Sequence, residues 1–346
     1  MSLIKLSKQK AHEQELLSRD REIRRLKEDL ARVERQNKHL HEKIEIEEKK
    51  AAFRVAIDCK NAEARMIREL KKTKGQSTAL LILNDWHAGE RIDLDQVNGV
   101  NEYNLDVCEK RATKVFAKSL EWLDRARSQA TINNMVVALL GDFISGAIHD
   151  ELLESDFLSP SQSTIFVQQI LIDGIQYILD NAKIKNLVLP CCPGNHGRTT
   201  PDRRIATDAD NSFEFMMYQN LSSYFRKNPK VHFVLTRSYY NYVTIEGRET
   251  RFCHGQNTRF NGGVGGATIP INKSITAQNK IKPADIDYMG HLHSYIDTLT
   301  WTLCPSMIGQ SPFGIAAKGE YCPPAQIFSI INQKHGKVCS EMLYAD

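Results

Sequence analysis

Five times in this chain a short apolar run ends in side chains that a buried strand has no use for: carboxylates, imidazoles and a carboxamide. Leu80-Leu-Ile-Leu-Asn84 runs into Asp85-Trp86-His87, Val136-Val-Ala-Leu-Leu140 into Gly141-Asp142, and Leu187-Val-Leu-Pro190 leads to Gly194-Asn195-His196. Later, Arg251-Phe-Cys253 ends in His254-Gly255, and Tyr288-Met-Gly290 in His291-Leu-His293. Amphipathic stretches at Leu105–Ala126 and Ser163–Leu179 separate the runs Ala79–Leu83, Met135–Leu140 and Leu187–Leu189. Strand and helix therefore alternate, which is the rhythm of an α/β core. The second half turns strand-rich, through Val231–Leu235, Tyr239–Ile245, Arg251–Cys253, Ile286–Met289, Ile296–Thr302 and a closing hairpin Gln326–Leu343 around His335-Gly336.

Open α/β sheets bind ligands at the carboxyl ends of their strands. Strand ends that deliver carboxylate, carboxamide oxygen and neutral imidazole, without thiolate, describe a metal site suited to Mn, Fe or Zn. Alternate residues of an extended segment face one side, so His291 and His293 can serve a single cluster. The same alternation turns Cys253 away from His254, which argues against a thiol nucleophile. A carboxylate such as Asp142 can bridge two ions about 3.5–4 Å apart, and two ions can hold a bridging water as hydroxide near neutral pH, which points to phosphoryl chemistry. The glycine-rich segment Asn261-Gly-Gly-Val-Gly-Gly266 has no strand-turn-helix setting and is read as a loop, not a nucleotide cradle.

Singly, each motif is an ordinary turn or cap. Jointly, in this order and approximate spacing, Asp85-x-His87, Gly141-Asp142, Gly194-Asn195-His196, His254-Gly255 and Gly290-His291-x-His293 resemble the calcineurin-like metallophosphoesterases over roughly residues 78 to 300. The resemblance implies a two-sheet α/β sandwich with flanking helices. It also implies two divalent cations, Mn2+ first with Fe or Zn as alternatives. Asp85, His87 and His293 would hold one ion, Asn195, His254 and His291 the other, with Asp142 bridging. His196 would orient or protonate at the scissile phosphate.

The chain departs from the protein phosphatases of that superfamily. They continue the second motif with aspartate and arginine, where this chain has Gly141-Asp142-Phe-Ile-Ser145-Gly146. The acid that usually closes the third motif is absent from Gly194-Asn-His-Gly-Arg198. His149 is a candidate for a further imidazole at the site, or else a helix-cap histidine. Arg198 is a candidate contact for a substrate phosphate, or else a surface arginine. This combination resembles phage and prophage members grouped with SbcD-type DNA-repair exonucleases.

Residues 1–75 read as a coiled-coil arm and linker ahead of a catalytic domain at 76–346. From Leu16 to Ile44 there is no Pro or Gly, and Ile23, Leu26, Leu30, Val33, Leu40 and Ile44 recur in steps that make a heptad seam. With Ile23 at position a, Asn37 also falls at a, and Glu22 at g meets Lys27 at e of a partner, a pattern that favours a parallel dimer. The seam resumes one residue out of step through Ala52, Val55, Cys59, Ala62 and Met66. A single long helix folded back on its own domain is the alternative. Lys71–Ser77, with Gly75, is a short polar linker.

Residues 1–75 carry 21 Lys plus Arg against 14 Asp plus Glu, a net of +7 that leaves −3 of the chain's +4 to the remainder. Such an arm suits nucleic-acid phosphates, or equally a solvated helix surface. There is no apolar stretch long enough to span a bilayer and no signal-peptide core, and the eight cysteines include no C-x-x-C pair. The expectation is a cytoplasmic protein, in a bacterium or a phage-infected cell, with reduced thiols and no membrane contact.

The activity expected is hydrolysis of phosphodiester bonds in DNA by in-line attack of a metal-bridging hydroxide. The alternatives are a phosphomonoesterase or small-molecule phosphodiesterase, and a non-catalytic nucleic-acid-binding or assembly protein that keeps a structural metal site. If residues 16–50 form the dimer seam, removing residues 1–72 yields monomers that still cleave a small aryl phosphodiester. Light scattering and that assay check the expectation together; a truncated protein that stays dimeric contradicts it.

Overall fold

A computed structural model describes residues 76–258, 266–316 and 321–346, with the Leu153 side chain outside the description. The heptad seam, Lys71–Gly75 of the linker and Asn261-Gly-Gly-Val-Gly265 lie outside the described residues.

The first sheet is built around β1 (Gln76–Leu83), which is buried along its whole length. Its near-continuous apolar sequence suits a strand covered on both faces. β2 (Thr131–Leu139), β3 (Asn186–Cys191) and β4 (Val231–Leu235) follow it in parallel. On its other side β10 (Ala325–Asn332) and β11 (Gly336–Tyr344) add antiparallel strands, giving the order β11-β10-β1-β2-β3-β4. The second sheet has β5 (Asn241–Ile245), β6 (Arg248–Cys253), β7 (Ile286–Met289), β8 (Ile296–Asp297) and β9 (Trp301–Leu303) in the order β5-β6-β7-β9-β8.

The helices are α1 (Leu105–Arg127), α2 (Asp150–Ser155), α3 (Pro160–Asn181), α4 (Phe213–Phe225), α5 (Thr268–Asn279) and α6 (Pro312–Ala316). Sequence signals start the long ones. The Asn104 side chain accepts from Val107 N at 2.9 Å. Pro160 opens α3, and Gln162 reaches back to accept from Ser159 N at 3.0 Å.

Alternation along the strands sorts the side chains into layers. Leu80, Ile82, Val136, Ala138, Val188 and Val234 meet Val243, Ile245, Phe252 and Tyr288 of the second sheet. Ala79, Leu81, Met135 and Val137 face Val115 and Leu123 of α1, Leu171 and Ile175 of α3, and Tyr218 of α4. Ile271 of α5 covers the outer side of the second sheet with Met289, Trp301 and Leu303. The result is a two-sheet α/β sandwich with helices on both outer faces.

The registers bring the carboxyl ends of the strands level. Leu83 pairs with Leu139, and Leu139 with Cys191. In the second sheet Cys253 pairs with Met289, and Met289 with Leu303. All five polar strand ends noted in the sequence thus leave their sheets at matching positions.

Several elements differ from those expected. Ile296–Thr302 is not one strand but the short antiparallel pair β8 and β9, because Thr298 turns the chain: its Oγ1 accepts from Trp301 N at 3.0 Å. The helices α2, α4, α5 and α6 are additional. In α4 the buried set includes the polar residues Glu214, Asn220 and Ser222, so no clean apolar stripe announces it. Among the described residues the seven cysteines are free, and no helix is long and apolar enough to cross a membrane.

Candidate metal centre

The loops after β1 and β2 are laced together by their backbones. Asp85 N donates to Gly141 O at 2.9 Å, His87 N to Asp142 O at 3.0 Å, and Ala88 N to Phe143 O at 2.9 Å. Five of the seven expected ligands lie in the left-handed region: Asp85 (φ 50°), His87 (48°), Asp142 (51°), His291 (75°) and His293 (50°). That conformation costs a residue with a Cβ about 1–2 kcal/mol, and such strain gathers at functional sites. Two glycines let backbone press against the carboxylates. A Cβ on Gly194 would sit 2.1 Å from Asp142 Oδ1, and one on Gly290 2.5 Å from Asp85 Oδ2.

Asp85 Oδ1 is faced by three imidazole Nε2 atoms, those of His293 at 3.4 Å, His87 at 3.9 Å and His254 at 4.0 Å. His254 Nε2 lies 2.9 Å from Asp142 Oδ2, without the alignment of a hydrogen bond. His87 Nε2 and His293 Nε2 are 3.1 Å apart. Three overlapping groups result: Asp85, His87 and His293; His87, Asp142 and His196; and Asp142, His254 and His291. Asp142 belongs to two of them. Asn195 follows directly on Gly194, and its buried Oδ1 has no partner.

An outer layer orients these groups. Leu140 O, 2.8 Å from His254 Nδ1, can only accept, so Nδ1 carries a hydrogen and Nε2 is the nitrogen turned toward the carboxylates. Ser145 O does the same for His196 at 2.7 Å. Asp85 Oδ2 accepts from His291 N at 2.8 Å and Asn84 Nδ2 at 2.5 Å. Asp142 Oδ1 accepts from His196 N at 2.8 Å.

The titration behaviour follows from two buried carboxylates among imidazoles. Burial works to raise Asp85, but His293 and His254 outweigh it and hold the carboxyl far below its usual value. Asp142 is likewise lowered against burial, chiefly by His254 and His196. In return, Asp142 overcomes burial at His254 and lifts it to about 9. His293 is raised against burial by Asp85. Burial, with His254 nearby, lowers His291 to about 4, and burial lowers His87 and His196.

The exposed His149 stands at the N-cap position of α2 with no side-chain cap, its ring 6.1 Å from that of His196. The Arg198 guanidinium donates to backbone carbonyls of its own loop: Thr200 at 3.1 Å, Asn195 at 3.2 Å and Pro201 at 3.1 Å.

Three acids of this region are additional to the sequence reading. Glu214 is fully buried in α4 and accepts from Phe143 N at 2.6 Å and Gly194 N at 2.7 Å, tying the second and third ligand loops together. Burial and the Asp142 charge push it up to about 7. A lone carboxylate inside Phe213-Glu-Phe-Met-Met217 was the signal for it. Glu90, raised to about 7 by burial and Asp156, feels His293. Asp156, raised to about 7 by burial, accepts from Ser145 Oγ at 3.1 Å.

The donor set fits divalent cations. Burying an unpaired carboxylate costs several kcal/mol, and among the described residues the ion pairs of Asp85 and Asp142 are with histidines alone. Asp85 Oδ1, Asn195 Oδ1 and His254 Nε2 are buried without a hydrogen-bond partner. The 3.4–4.0 Å spacing around Asp85 Oδ1 is too wide for hydrogen bonds. It is close to what ligands about 2.0–2.2 Å from a shared ion would show.

The sequence matches no protein-family profile and no curated protein. Among solved structures, the chain is similar to a hypothetical protein from Pyrococcus horikoshii at 13% identity, covering 78% of this chain and 89% of that one, with a TM-score of 0.37. It is also similar to zinc-complexed Vps29 from Entamoeba histolytica, at 10% identity, 78% and 99% coverage and a TM-score of 0.33. A third is the phosphopantetheinyl hydrolase PptH from Mycobacterium tuberculosis, at 10% identity, 67% and 91% coverage and a TM-score of 0.28. Likenesses this loose carry no weight beside the residues themselves.

Replacing Glu214 with alanine leaves two buried N–H groups unpaired, at roughly 1–3 kcal/mol each. Glu214→Ala should therefore lower unfolding stability by about 3 kcal/mol, and Glu214→Gln, which can still accept, by less. Urea denaturation checks both; equal, negligible losses would remove Glu214 from this role.

Proposed function

We propose that this chain is a phosphodiester hydrolase dependent on two divalent cations, with DNA as the substrate class. The observation that carries the reading is the ring of imidazoles around two fully buried carboxylates, with His196 at its edge. Asp85, His87 and His293 would hold one cation and Asn195, His254 and His291 the other, with Asp142 between them. Bound there, divalent cations supply Lewis acidity to the phosphoryl group and to the attacking water.

The chain's own residues do the rest. Asp85 and Asp142 provide fixed negative charge, held in place by backbone N–H donors. Leu140 O fixes the ring of His254. His196 is neutral near pH 7, because burial lowers it, and Ser145 O commits its Nδ1–H. Its Nε2 lone pair is then free to take and hold a proton at the reacting phosphoryl group. His149 stands close enough to reach the same substrate through its exposed ring.

DNA is favoured over a phosphoprotein by two features of the sequence. The second motif lacks the aspartate–arginine continuation, and residues 1–75 concentrate a net +7.

Purified protein with Mn2+ is to be assayed on a bis-aryl phosphate, an aryl monophosphate, and labelled single- and double-stranded DNA. Asp142→Asn and His293→Ala should lose metal and activity together. His196→Ala should keep its metal and lose turnover by about 10²–10⁴-fold. Diester and DNA cleavage are expected; monoester cleavage at least as efficient, with every form of DNA left intact, transfers the site to the phosphomonoesterases.

A further inference from the structure

Arg203 stands out among the described arginines. Its Nε and Nη2 are buried without a hydrogen-bond partner, while Nη1 donates weakly to Gln256 O at 3.4 Å. Nε and Nη2 form one edge of the guanidinium, the fork that matches two oxygens of a carboxylate or phosphate. Elsewhere in the molecule the same fork is filled: Arg251 grips Asp287 with Nε–Oδ1 at 2.5 Å and Nη2–Oδ2 at 3.1 Å. A desolvated cationic fork with nothing in it is costly, and such a group calls for an explanation.

Its surroundings link it to the metal centre. Gln256, which accepts from Nη1, is two residues beyond His254. The guanidinium lies over the ring of Tyr239, 5.6 Å from its centroid, and the Tyr239 hydroxyl donates to Gln256 Oε1 at 2.5 Å. Asp208 lies close enough to Arg203, Arg198 and His254 to feel the charge of all three. Asp208 makes no ion pair with Arg203 among the described residues. The Arg198 donors are already spent on its own loop, which leaves Arg203 as the guanidinium with an open edge.

We propose that Arg203, seated on Tyr239, binds a phosphate group of the substrate next to the one that is cleaved. This rests on the hydrolase reading for the nature of the substrate, and it deepens it: the preferred ligand carries at least two phosphates in succession, as a polynucleotide does. The turn on either side of Arg203, residues 201–202 and 204–207, is exposed, and binding of the anion requires it to move, since the fork is closed from solvent.

The test is calorimetric binding of thymidine 3′,5′-bisphosphate and thymidine 5′-monophosphate to the full-length, Mn2+-loaded protein. The bisphosphate should bind about tenfold more tightly, the scale of one charge-assisted pair. Arg203→Gln should abolish the difference, and Arg203→Lys, which keeps the charge without the fork, should recover only part of it. A difference that survives Arg203→Gln, a full recovery by Arg203→Lys, or a wild type that binds both ligands alike overturns the proposal. Wild-type hydrolysis of a bis-aryl phosphate separates the two readings. Hydrolysis without a binding difference removes Arg203 alone, and a binding difference without hydrolysis removes the hydrolase reading and leaves the anion site standing.

Discussion

Two carboxylates with almost no exposure, Asp85 and Asp142, sit on adjoining loops, and the rest of the site is arranged around keeping them charged. Each would cost several kcal/mol to bury alone. Backbone donors from His291 and His196 and the Asn84 carboxamide meet part of that cost. Imidazoles meet the remainder, and the raised titration of His254 and His293 is the reverse side of the same balance. A shared cation would take the place of the proton that Asp142 favours on His254, and would satisfy the oxygens and nitrogens that have no protein partner. Left-handed backbone at five of these residues is strain that a stability-only design would avoid.

The fold serves this cluster through strand register. Because Leu83, Leu139 and Cys191 are level in one sheet, and Cys253 and Met289 in the other, five separate loops leave the sandwich along corresponding edges. The first sheet supplies the carboxylates, Asn195 and His196, and the second supplies His254, His291 and His293. Neither sheet could assemble the site alone. Glu214 extends the dependence to the helical layer, since a side chain of α4 holds the backbone of two ligand loops.

Much of this was legible because the relevant signals are local. An apolar run followed by Asp-x-His or Gly-Asp announces both a strand and what its end carries, and the amphipathic stretches Leu105–Ala126 and Ser163–Leu179 announce two helices, the second of which starts three residues earlier, at Pro160. Other parts depend on tertiary context. Glu214 and Asn220 break the apolar stripe of α4, since their partners lie in distant loops or another helix, Phe143 and Gly194 for the first and Gln168 for the second. The turn at Thr298 hides in a β-branched, strand-like sequence and shows only through its hydroxyl. Arg198 and Arg203 are alike as residues in a sequence; what separates them is which one's donors are used up by neighbouring carbonyls.

The central claim is that the Asp85 and Asp142 cluster is a two-cation site, and anomalous diffraction from crystals grown with Mn2+ tests it most directly. The account predicts two peaks about 3.5–4 Å apart, one bounded by Asp85, His87 and His293, the other by Asn195, His254 and His291, with Asp142 touching both. A single peak away from these side chains, or none at saturating Mn2+, would contradict it.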